Sequence, residues 1–132
     1  MKVFVDSNIP MYVAGKEHPH RERARRLLTK IQRGQIEGFT SVEMLQEILY
    51  RYTALQKPDL AREVYDAFVQ ICPVVLGVTL ADTELARNLL GDVDGISARD
   101  AIHAAVMINA VWSGLRRSIR DLIACPGSGA WS

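Results

Sequence analysis

Cysteine is almost missing from this chain. Cys72 and Cys125 are two thiols in 132 residues, and neither keeps a metal-ligand spacing with the other or with a histidine. A disulfide framework and a zinc ribbon are thereby excluded, and a reducing cytoplasm is the expected setting. Long apolar runs are missing as well; no stretch approaches the roughly eighteen residues of a membrane span. The N-terminus enters a β-prone run directly, without the apolar region and cleavage site of a secretory signal. No sign of charge dominates, because the net charge is +1. That balance argues neither for nor against a nucleic-acid partner, since a local patch on a near-neutral protein can hold a polyanion. Repeats, low-complexity segments and linkers are absent too, which leaves one domain over residues 1–132. What remains is the composition of a globular protein, 48% hydrophobic and 23% charged, long enough to bury one core.

Residues 1–5 read as a buried strand that stops at Asp6-Ser7-Asn8. Residues 9–14 suggest a short helix, interrupted near Gly15 and Pro19. Residues 20–32 make a better one: Ala24, Leu27, Leu28 and Ile31 recur at helical spacing, Arg21, Arg25 and Lys30 lie opposite, and Gly34 ends it. Residues 36–40 form a second strand. Ser41 is placed to cap the next helix, whose apolar face is Val42, Leu45, Ile48, Leu49 and Tyr52. Pro58 opens a helix over 59–71 and Pro73 closes it. Residues 74–78, apolar on both faces, are expected as a central parallel strand. Helices over 82–90 and 100–109 follow, separated by a glycine-rich loop. Strands alternating with helices predict an α/β domain with a parallel sheet and right-handed crossovers, carrying an extra helical pair between the second and third strands.

Three acids stand out against this frame. Asp6 ends a strand, and the carboxyl ends of parallel strands are where ligands bind, although Asp also caps helices. Glu47 borders the apolar face of its helix, where a solvated role competes. Glu43, four residues earlier, sets up a contrast in which one of the two faces the sheet edge and the other faces water. Asp100 precedes an almost wholly apolar helix; if Ser97 caps that helix, Asp100 sits at N3 of an approximate capping box. Taken together, clustered carboxylates repel one another unless a cation compensates. All-oxygen ligation suits Mg²⁺ or Mn²⁺, and such an ion can activate water against a phosphodiester. Ser7 and Asn8 are placed to support Asp6. Arg21, Arg23, Arg25 and Arg26 form either a phosphate-gripping cluster or a solvated helix face. His103 is read as packed, and His18 and His20 as loop residues.

The segments VFVDSNI, TSVEMLQEILYRY and GISARDAIHAAVM, in that order, resemble the PIN-domain ribonucleases, specifically the VapC-type toxins of bacterial toxin–antitoxin pairs. The resemblance covers about residues 1–110. It implies a PIN-like three-layer α/β/α fold with a central parallel sheet. It also implies a single-stranded RNA endonuclease dependent on Mg²⁺ or Mn²⁺, a VapB-type antitoxin whose tail covers the site, and a toxin homodimer with no membrane association. Carried over by position, Asp6, Glu47 and Asp100 look like the family's first three metal-binding acids, with Ser7 and Asn8 at polar positions beside the first. Asp82, Glu84, Asp92 and Asp94 fall outside the motifs and are read as structural.

Residues 111–132 depart from the pattern, which asks for a further strand and a fourth acid. Asp121 falls near the right distance in the wrong setting, so the C-terminal strand is expected to be missing or altered. A shift of reading frame after the Ala110 codon would account for the break. The alternative function is then a catalytically weakened module that binds antitoxin or RNA. A phosphoacceptor role for Asp6 lacks the Lys and Thr/Ser partners it needs.

Overall fold

The computed structural model describes residues 1–112, in the order β1 (Lys2–Phe4), α1 (Asn8–Ala14), α2 (Arg21–Gln32), β2 (Glu37–Ser41), α3 (Val42–Ala54), α4 (Pro58–Ile71), β3 (Val74–Leu76), α5 (Leu80–Asp92) and α6 (Ala98–Trp112). Asp121, Cys125 and the expected loss of a C-terminal strand lie outside the described residues.

The three strands form a parallel sheet in the order β1-β2-β3. Phe4 pairs in register with Phe39, and their rings meet edge to face at 5.6 Å. The Val5 N–H donates to Phe39 O at 2.8 Å and the Thr40 hydroxyl to Val5 O at 2.9 Å, tying the chain just past β1 to β2. Parallel strands need long crossovers, and α1 with α2 supplies one while α3 with α4 supplies the other. With helices also from α5 and α6, the architecture fits the expected three-layer α/β/α form.

Among the described strands the central one is β2, not the third strand. Residues 74–78 were expected at the centre because all are apolar or glycine, yet β3 stops at Leu76 and lies at an edge of the described sheet, with Val74 exposed. Central position is set by pairing on both sides, to which side-chain polarity contributes little. β2 carries Gly38, Thr40 and Ser41, and all three are buried. Gly38 allows close packing: a Cβ there would lie 3.0 Å from both Cys72 Sγ and Ile31 Cδ1.

Local chemistry accounts for most helix ends. Gly34, at φ +76°, follows α2 in the left-handed conformation that glycine adopts without cost. Pro58 opens α4 at a position that needs no N–H donor. α5 starts two residues before expectation because Thr79 and Asp82 form a capping box, with Asp82 Oδ2 accepting the Thr79 N–H at 2.8 Å. α6 starts at Ala98, where Ser97 Oγ accepts the Asp100 N–H at 3.1 Å. Ser41 holds the cap position of α3 but makes no side-chain cap bond.

Candidate active site

The carboxyl ends of the parallel strands bring Asp6 after β1, Ser41 at the end of β2 and Thr79 after β3 to one edge of the sheet. Asp6 Oδ2 accepts the Asn8 backbone N–H at 2.9 Å, which launches α1. The contact of Asn8 with Asp6 is through its main chain. Ser7 is buried beside it, its N–H directed at Met44 Sδ, 3.4 Å away. The cap position of α1 belongs to Ser7, which makes no side-chain cap bond, and the Asn8 N–H engages one carboxylate oxygen of Asp6.

Both glutamates of α3 turn inward, in place of one in and one out. Glu43, in the first turn, is half-buried, and its Oε1 has no hydrogen-bond partner. Burial pushes its carboxyl above the ordinary carboxylate value, with the Arg99 charge opposing and the Asp82 charge reinforcing the shift. Glu47 lies one turn on, its side chain 12% exposed. Its Oε1 is 3.5 Å from Arg51 Nε on the same helix, and its Oε2 pairs with Arg99 from the start of α6.

Asp100 is exposed at the first turn of α6. One turn on, the His103 ring packs on Phe4 with centroids 4.8 Å apart, as the packed reading held. Its Nδ1 is buried without a partner. Burial holds the imidazole below its ordinary value, Arg99 acts in the same direction, and Asp6 with Asp100 oppose them. His103 is therefore within electrostatic reach of both aspartates. Asp82 is buried within the α5 capping box and accepts from Asn109 Nδ2 at 2.7 Å, which is the structural role expected of it.

The arginines of α2 are not brought to this edge by any described contact. Arg21 pairs with Glu17 and Arg25 with Glu22, each at 3.6 Å. Tyr12, His18 and His20 stack nearby in the chain, Tyr12 on His18 at 4.5 Å. Cys72 is fully buried, with its thiol pushed up to about 12, and is chemically inert.

The donors fit a hard divalent cation in kind. Among the described residues, four buried side-chain atoms lack a hydrogen-bond partner, and Ser41 Oγ, Glu43 Oε1 and His103 Nδ1 are three of them. Buried polar atoms are nearly always satisfied, so orphans on the elements that carry the acids mark a place for a polar ligand. No three His, Cys, Asp or Glu side chains among the described residues stand close enough to ligate one ion directly. Mg²⁺ commonly keeps several waters and takes one or two carboxylates, which such a spread of acids allows. Sequence reasoning weighed Glu43 and passed it over, and it missed Arg99. The only signal for Arg99 is a charged residue directly before Asp100, which in sequence is indistinguishable from surface polarity.

Comparison with known proteins identifies the family. Residues 3–112 match the PIN domain model, and the chain belongs to the PIN-domain family. Within that family it is similar to the VapC ribonucleases. It is 38% identical over 125 residues to ribonuclease VapC13 of Mycobacterium tuberculosis and to a VapC ribonuclease of Mycobacterium bovis, covering 95% of each chain. With ribonuclease VapC23 of Mycobacterium tuberculosis it shares 36% identity over 106 residues, 78% of this chain and 81% of that one. No solved structure matches. A match over 125 of 132 residues must continue past Ala110, which weakens the frameshift reading of the tail.

Proposed function

We propose that this protein is a metal-dependent endoribonuclease acting as the toxin of a toxin–antitoxin pair in the cytoplasm, with Asp6, Glu47 and Asp100 as its metal-binding acids. What supports the reading is that Asp6 after β1, Glu47 on α3 and Asp100 on α6 accompany buried, unpartnered polar atoms on β2, α3 and α6, in a chain of the PIN family whose relatives are named ribonucleases. Mg²⁺ or Mn²⁺, when bound, supplies an activated water and charge stabilisation at the phosphodiester. Asp6 holds its orientation through the Asn8 N–H, and Ser7 fixes the turn behind it. Asp100, exposed in the first turn of α6, is accessible to substrate. His103 packs its ring on Phe4, and its burial disfavours the charged imidazolium. Arg21 and Arg25 are assigned phosphate contacts further along the strand, where they would exchange exposed carboxylate partners for RNA.

The same reading brings a VapB-type antitoxin as partner and a toxin homodimer. Val42, Leu49 and Tyr50 are exposed on α3 and Leu55 just past its end, and exposed apolar side chains of this kind suit a protein interface. No helix among the described residues is long and apolar enough to cross a membrane.

A module that binds antitoxin or RNA without turnover is the second reading, and the arginine grip on Glu47 favours it. Purified protein with Mn²⁺ and a panel of single-stranded RNAs separates the two. Cleavage that EDTA abolishes supports the enzyme; RNA retention without cleavage at any metal concentration supports the binding module.

A further inference from the structure

Glu47 is held by two arginines that reach it in different ways. Arg51 lies four residues on along α3, so its pair forms whatever the rest of the molecule does. Arg99 comes from the first turn of α6, next to Asp100, and joins the two helices that carry the second and third acids. Its charge also acts on Glu43 and on His103. A guanidinium against a carboxylate takes up, through directional hydrogen bonds, the lone pairs that a divalent cation would use. Glu47 is largely buried, which strengthens the pair, while the Arg99 side chain is 61% exposed and can leave without crossing packed core.

Resting on the metal-dependent reading above, we propose that Arg99 is a built-in counter-ion of Glu47 that competes with the divalent cation and sets the concentration at which the site fills. Arg99 is a positioning residue in this scheme, acting through Glu47. Removing it leaves the site short of positive charge and raises its appetite for a cation. It also cuts the tie between α3 and α6.

The test is Mn²⁺ binding, followed by the paramagnetic resonance of the free ion, for wild type, Arg99→Gln, Arg99→Lys and Asp6→Asn, each checked for folding by circular dichroism. Arg99→Gln is expected to bind Mn²⁺ on the order of tenfold more tightly than wild type. Arg99→Lys, which keeps the charge and loses the planar fork, is expected to fall between the two. A folded Arg99→Gln with wild-type affinity overturns the inference and leaves the metal site standing. Should Arg99→Gln fail to fold, an Arg99→Lys affinity no tighter than wild type overturns it equally. Wild type that binds no Mn²⁺, or Asp6→Asn that binds as well as wild type, overturns both the site and the inference built on it.

Discussion

Two hydrophobic clusters meet at the acids, and they are built on different principles. The larger one packs β1, β2 and α1 to α4 with bulky side chains, among them Phe4, Ile9, Ile48 and Phe68, each at most 1% exposed. The smaller one joins α5 to α6 through Ala86, Ala101 and Ala105, ringed by Leu85, Leu89, Ile96 and Ile102. Bulk gives the first its stability through buried area. Small residues give the second close approach with little area, helped by the Thr79–Asp82 box and the Asp82–Asn109 bond, while the His103 ring on Phe4, Met107 and the Arg99–Glu47 pair join it to the first. Asp6, Glu43 and Glu47 come from the first region, and Arg99, Asp100 and His103 from the second. The site therefore lies on a seam, with stability concentrated on one side and adjustable placement on the other.

The largest effect that tests this contrast is expected in the bulky cluster. Phe68→Ala should cost about 3–5 kcal/mol, because it removes a fully buried ring and leaves a cavity, and urea unfolding measures the loss. A cost near that of a surface substitution would erase the distinction between the two regions. Ala105→Leu overpacks the alanine contact and should cost about 1–3 kcal/mol by the same measurement. Its sharper consequence is functional: displacing α6 from α5, and with α6 Arg99 and Asp100, should lower RNA cleavage more than the stability loss alone explains. Smaller still is a pH effect at the seam. Burial favours neutral His103 in the folded state, so its stabilising contribution is complete above the ordinary imidazole value of 6.5 and is lost as pH falls through 6.5 toward the lower folded value. Melting temperatures from pH 8 to pH 5 should fall on the acid side. His103→Phe, which keeps a ring against Phe4 and carries no proton, should fall less steeply.

The bulky region was the more legible of the two. Strand and helix starts there follow short-range signals: an acid closing β1, Gly34 after α2, Pro58 opening α4. Those signals act over a few residues and survive in sequence. The order of the sheet did not, because Gly38, Thr40 and Ser41 look like an edge while their pairing partners lie far along the chain. At the site, Asp6 and Asp100 were readable from their interrupted patterns and from the family resemblance. What could not be read was the pairing of Arg99 with Glu47, which joins residues far apart in the chain, or the partial burial of Glu43. Ser41 shows the same limit in reverse: the cap position was right, but its buried hydroxyl makes no cap bond.

The central claim is that carboxylates from both sides of the seam serve one metal site. Its most direct test is the rate of Mn²⁺-dependent RNA cleavage by Asp6→Asn, Asp100→Asn and the double variant. Groups that act as a unit lose their effect together, so each single variant should drop by about a hundredfold or more and the double should be no slower than the slower single. Losses that simply multiply in the double variant, or an Asp100→Asn variant as fast as wild type, would contradict the claim.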